Sequence, residues 1–129
     1  MTRHTKDAAP KQTGIAHLWS AAGYSAGGLT RLTKEAAFRQ EVMAGTGLLV
    51  AYAVMDVTAA VRLSAIILFL LLIAMEAVNT AIEEIIDRIS PEVSATGKHA
   101  KDLGSLAVFC LILANSMLLL YALTVHLKI

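Results

Sequence analysis

The chain has 129 residues, room for one domain. It is 57% hydrophobic, and its mean hydropathy of +0.65 lies well above that of an ordinary soluble protein. Its 11 basic groups are balanced by 10 acidic ones, which argues against nucleic-acid binding, and its one cysteine excludes an intramolecular disulfide.

Residues 1–14 read as a mobile polar tail, with Pro10, no helical periodicity and no apolar core segment of a signal peptide. From Ile15 to Leu32 apolar residues recur at helical spacing, among them Leu18, Trp19, Ala22, Leu29 and Leu32. Gly23, Gly27 and Gly28 weaken that helix in water, so it needs a surface to lie on. With Trp19 and Tyr24 at headgroup level it reads as an amphipathic helix on the inner leaflet. A charged run, Lys34 to Glu41, then leads into the first apolar stretch.

Three stretches can span a bilayer, at about 20 residues or more for roughly 30 Å of hydrocarbon. The first runs from about Val42 to Val61 and contains Asp56; the second runs from Leu63 to Ile86; the third, Leu103 to Val125, has no formal charge. Cys110 lies within the third and reads as a small buried hydrophobe. Ser90-Pro91-Glu92 marks a helix stop and restart, with the proline in a first turn. The expected fold is all-α and membrane-integral, a surface helix followed by three spans.

Basic residues set the orientation. Arg3, Lys6, Lys11, Arg31, Lys34 and Arg39 precede the first span, and Arg88, Lys98 and Lys101 lie in the Asp87–Asp102 connection, against only Arg62 and Lys128 at the other ends. The N-terminus and that connection are therefore expected in the cytoplasm, and the C-terminus outside.

The second span carries the most informative residues. An ionised carboxylate near the bilayer centre costs about 2.5–3.5 kcal/mol even on the lenient insertion scale. Yet Glu76, Asn79, Glu83 and Asp87 all fall within about a third of the helix circumference. Helix-to-helix hydrogen bonding alone accounts poorly for four acceptor-rich groups with no lysine or arginine on that face; a cation suits them better.

There is no GxxxxGK[ST] loop, GxGxxG, HExxH or CxxC pair, and His4, His17, His99 and His126 are scattered. A site must therefore be built from helix faces and short loops at the membrane edge, and the shortage of surface in one protomer favours a site shared in a small oligomer. The residues fit phosphoryl transfer. Glu35 and Glu83 offer hard oxygen ligands for Mg²⁺, Lys101 offers a charge for phosphate, and Glu76, deeper in the span, is placed to take a proton from a lipid hydroxyl.

Three blocks carry a family resemblance: Glu35-Ala-Ala-Phe-Arg-Gln-Glu41, Glu76-Ala-Val-Asn-Thr-Ala-Ile-Glu-Glu-Ile-Ile-Asp-Arg88 and Ala100-Lys-Asp-Leu-Gly-Ser105. In order, spacing and span layout they resemble the bacterial diacylglycerol kinases from Ala16 onward, so residues 15–129 are expected to form one such domain. The resemblance implies a homotrimeric inner-membrane enzyme that uses MgATP to convert diacylglycerol to phosphatidic acid. It implies Glu76 as catalytic base, Glu35 and Glu83 as metal and ATP contacts, and His17, Tyr24, Lys101 and Asp102 at ATP-contacting positions. Arg39, Gln40, Glu41, Glu76 and Ser105 fall at lipid-substrate positions, with Asn79 and Asp87 supporting. His17 stands where an arginine is expected, and Lys98-His99 where Gly-Arg is familiar. Undecaprenol kinase, on the same scaffold, and a non-enzymatic ion carrier using Glu76 and Glu83 are the competing readings.

Overall fold

The computed structural model describes residues 14–92 and 94–129. The expected tail thus lies, apart from Gly14, outside the described residues. Four helices follow one another: α1 (Ile15–Leu32), α2 (Ala36–Val54), α3 (Ala59–Ile89) and α4 (Ala95–Leu127). The chain divides between Arg31 and Leu32 into two compact units.

In the first unit α1 has the boundaries its periodicity predicts. Ser25 and Thr30 donate their hydroxyls to the carbonyls of Ala21 and Ala26, one turn back, so neither competes with the helix ladder. Leu18, Trp19, Tyr24 and Leu29 are exposed, leaving an apolar surface without a protein partner among the described residues of that unit.

In the second unit, α3 and α4 are long and apolar enough to cross a membrane; among the described residues they are the two helices that meet that test. Their outer faces expose Leu63, Leu70, Leu113 and Leu120, the reverse of a water-soluble bundle. Cys110 belongs to this outer face and is exposed, not buried as expected. Two residues beyond the buried Val108, at about 100° per residue, it is turned to the opposite side of α4.

The first apolar stretch does not continue as one element to Val61. α2 stops at Val54, Met55 turns extended (ψ 147°), and Val61 already belongs to α3. The cause is a tertiary cap. Arg62 donates from Nε to the Tyr52 carbonyl (3.1 Å) and from Nη2 to the Met55 carbonyl (3.0 Å), satisfying acceptors left at a helix C-terminus. The Asp56 amide donates to Nδ1 of His126 on α4 (3.0 Å), and the Thr58 hydroxyl accepts from the Val61 amide to start α3. Beside this corner lies the apolar core of Tyr52, Met55, Val57, Val61, Ala65 and Ala122. Ala65 and Ala122 retain 2% and 0% of their surface, small enough to let α3 and α4 close on each other.

At the other end, α3 ends at Ile89 and α4 begins at Ala95, so most of the expected Asp87–Asp102 connection is helical. Pro91 lies between the helices rather than in the first turn of α4. Proline disfavours the helical region for the residue before it, and Ser90 leaves the helix at φ −136° and ψ 66°. Ser94 takes the N-cap instead, its hydroxyl accepting from the Gly97 amide at 3.0 Å.

Two polar or glycine contacts fix how the helices meet. Asn115, mid-way along α4, donates to the Leu111 carbonyl (2.8 Å) and reaches the Leu68 carbonyl on α3 at 3.4 Å. Gly45 on α2 lies under the Phe69 ring of α3, where a β-carbon would fall 2.1 Å from the nearest ring atom. Only a residue without a side chain allows that approach.

Candidate active site

The polar stripe on α3 faces its neighbours as its spacing predicts. Glu76 and Thr80 are buried, and Asn79 and Glu83 are half-buried. With Glu35 and Glu41 from the start of α2 and Ser105 from α4, they line one cleft of about 320 Å³. Glu35 stands at the N-cap of α2 (φ −77°, ψ 131°), but its carboxylate makes no capping bond there; it lines the cleft. Glu76 and Glu83 are two turns apart, about 10 Å along the helix axis. Thr80 joins them one turn after Glu76, a site residue that the apolar run around it gave no reason to single out.

Among the described residues no lysine or arginine lines this cleft. Asn79 donates from Nδ2 to Oε1 of Glu83 at 3.1 Å. Oε2 of Glu41 is buried and finds no hydrogen-bond donor among the described residues. A buried carboxylate oxygen without a donor needs a proton, a water or a cation. Among the described residues no three His, Cys, Asp or Glu side chains form a ready-made metal cage. Hard carboxylates without imidazole or thiolate are the donor set of Mg²⁺, which keeps waters and phosphate oxygens as its other ligands. Glu35 and Glu83 fit that pattern.

Asp87 does not join the acidic cleft. It turns to a second, polar cleft of about 280 Å³ at the α3–α4 corner, lined also by Ser94, Gly97, Lys98, Lys101 and Asp102. There Lys101 pairs with Asp87 across the two helices at 2.5 Å, and Lys98 pairs with Asp102 one turn on at 2.5 Å. Both pairs are largely exposed, so they orient side chains more than they stabilise the fold. Of the two residues that depart from the family pattern here, Lys98 lines the cleft and His99 does not.

The expected lipid-contact residues separate. Glu41 and Ser105 line the acidic cleft, whereas Gln40 lines an apolar groove of about 300 Å³ with Glu41, Gly45, Leu48 and Phe69. Glu41 thus belongs to both and marks where polar lining meets apolar. Asn115 and Ser116 also line the groove; an uncharged third span gave no sign of them. Arg39 is engaged elsewhere, its Nη1 donating to the carbonyls of Thr33 (3.1 Å) and Lys34 (2.9 Å). His17 and Tyr24 lie on α1, in the first unit, with both side chains exposed.

Residues 23–123 match the family model of prokaryotic diacylglycerol kinase. A diacylglycerol kinase of Sinorhizobium sp is 54% identical over 111 residues, covering 86% of this chain and 81% of that protein. The diacylglycerol kinase of Pseudomonas aeruginosa PAO1 is 41% identical over 99 residues, covering 76% of this chain and 80% of that protein. That of Escherichia coli K12 is 40% identical over 102 residues, covering 78% and 84%. The family model's match over most of its length, with relatives 40–54% identical, places this chain of two membrane-length apolar helices in the prokaryotic diacylglycerol kinase family, a family of lipid kinases.

Proposed function

We propose that the acidic cleft is where the ATP γ-phosphate passes to the free hydroxyl of diacylglycerol, giving phosphatidic acid and ADP. The observation that carries this reading is the convergence of Glu35, Glu41, Glu76, Asn79 and Glu83 on one cleft in a chain of this family. Glu76 is the base: its carboxylate takes the hydroxyl proton as the oxygen bonds to the γ-phosphorus and the bond to the ADP oxygen breaks. Glu35 and Glu83 hold Mg²⁺, which when bound neutralises charge on the nucleotide phosphates.

Lys101 and Asp102, with His17 and Tyr24 from α1, are the nucleotide contacts in this reading. Asp87 supports Lys101 through the cross-helix pair. Arg39, Gln40, Glu41 and Ser105 position the lipid, whose acyl chains suit the apolar groove that Glu41 borders. α2 serves as a third span, so that residues 15–129 act as one membrane domain in the bacterial inner membrane, with the N-terminus and both clefts on the cytoplasmic side. The functional unit is a homotrimer, which supplies surface that one short protomer lacks. An ion carrier would have no use for Lys101 and Asp102 beside the acidic groups.

Transfer of labelled phosphate from ATP to diacylglycerol in mixed micelles, followed across a Mg²⁺ titration, tests the reading. Wild type should label the lipid, and Glu35→Gln and Glu83→Gln should each lower activity and raise the Mg²⁺ needed for half-maximal rate. Unlabelled lipid would remove the reaction. Unchanged Mg²⁺ dependence in both variants would remove the metal role.

A further inference from the structure

Gly104 lies on the buried face of α4, one residue before Ser105 and three after Lys101. A β-carbon there would fall 2.3 Å from Oδ1 of Asn79, 3.3 Å from its Cγ and 3.7 Å from its Cα. The carboxamide therefore rests directly on the bare backbone of α4. The direction a β-carbon would take is that of a glycine Cα hydrogen, so Oδ1 meets a Cα–H donor, a weak but recurrent contact at helix interfaces. Oδ1 is buried and has no other hydrogen-bond partner among the described residues, while Nδ2 is committed to Glu83. Reversing the amide would set Oδ1 against the Glu83 carboxylate, acceptor against acceptor. Glycine backbone on one side and carboxylate on the other thus fix one orientation of the amide.

We propose that Gly104 is a positioning residue for the metal site: its bare backbone seats Asn79, and Asn79 in turn holds Glu83. The proposal rests on the assignment of Glu83 as a Mg²⁺ ligand. Groups that orient a metal's ligands without touching the metal commonly matter about 10–100-fold in metal affinity. An alanine methyl at position 104 leaves Asn79 no room in its present rotamer, and the bond to Glu83 is lost with it.

A double-mutant cycle with Mn²⁺ as probe decides the matter. Wild type, Asn79→Ala, Gly104→Ala and the double variant are titrated with Mn²⁺ by electron paramagnetic resonance in the presence of a non-hydrolysable ATP analogue, and their unfolding is followed in the same detergent. Gly104→Ala and Asn79→Ala should each raise the half-saturating Mn²⁺ concentration by about tenfold, and the double variant should be no weaker than Asn79→Ala alone. Should Gly104→Ala not fold, the double variant, which removes the overlap, should fold and match Asn79→Ala. A folded Gly104→Ala that binds Mn²⁺ within twofold of wild type overturns the proposal, as do losses that multiply in the double variant or a double variant that also fails to fold. Glu83→Gln in the same titration keeps the two readings apart. No change there sinks the metal role itself, whereas a change there with none in Gly104→Ala sinks only the seat.

Discussion

Replacing Gly45 by alanine tests whether the approach of Phe69 sets the distance between α2 and α3. The new β-carbon would lie 2.1, 2.5 and 2.9 Å from three ring carbons. Non-bonded carbons rest at about 3.5–4.0 Å, so ring and helix must part by about 1.4 Å or more. Overpacking of that kind costs about 1–3 kcal/mol, partly offset by the roughly 1 kcal/mol that alanine gains over glycine inside a helix. Gly47, two residues on, isolates the overlap, because a β-carbon there meets nothing within 4 Å. Gly47→Ala should be neutral or stabilising, and Gly45→Ala less stable than Gly47→Ala by about 1–3 kcal/mol.

The cleft should report the same displacement. Glu35 and Glu41 belong to the start of α2, and Glu76 and Glu83 to α3, so parting the helices pulls apart the two sides of the site. A misplacement near 1 Å can cost about 10²-fold in rate. Thermal unfolding in detergent and kcat for labelled phosphate transfer give the two readings, and Phe69→Leu on the Gly45→Ala background should restore part of both. Equal stability of the two alanine variants, with kcat within twofold of wild type, would show that the ring moves aside freely and that this contact does not space the helices.

Glu76→Gln keeps the shape of the proposed base but cannot take the proton; kcat should fall by about 10²–10⁴ with the KM for ATP unchanged, and a rate within threefold of wild type would leave this residue only a positioning role. Arg62→Met removes both guanidinium bonds to the α2 carbonyls and should destabilise the protein by about 1–2 kcal/mol in a detergent-titrated unfolding assay. Arg62→Lys should recover less than half of that, since an ammonium lacks the fork, and full recovery would mean that charge alone closes the corner. Oligomers mixed from Glu35→Gln and Glu76→Gln protomers should regain no activity, since the two groups line one cleft of one chain, and recovery would mean that they act from different chains. Absence of recovery in mixtures shown by crosslinking to contain both variants would place the site within one chain.

Periodicity made the acidic face legible because it is local: Glu76, Asn79 and Glu83 share one side of α3 whatever packs against it. The limits of α1 were legible for the same reason. Contacts between distant segments were not. Nothing near Val54 announces that Arg62 will cap α2 and cut the first apolar stretch short. Gly45 and Gly104 are ordinary helix glycines in sequence, and they become necessary only when Phe69 and Asn79 are brought against them. Asp87 repeats the spacing of the acidic face, yet Lys101, fourteen residues on, draws it to the other cleft.

The contacts between α3 and α4 also bear on which part of the molecule can move. Asp87 with Lys101, Asn79 against Gly104, and Leu68 with Asn115 are spread along the length of the pair like teeth of a zip. Sliding α4 by one turn would part all three at once and turn the Asn115 amide away from Leu68. Between α2 and α3 the contacts run along the C-terminal half of α2: Gly45 under the Phe69 ring, Leu48, Leu49 and Tyr52 against the core of Val61 and Ala65, and the Arg62 cap at the far corner. Widening the cleft by a swing of α2 about that corner, with α3 and α4 kept as one body, would have to uncover Phe38, which is buried one turn from Glu35. Such a motion carries Glu35 and Glu41 away from Glu76 and Glu83 and opens the acidic cleft and the apolar groove together.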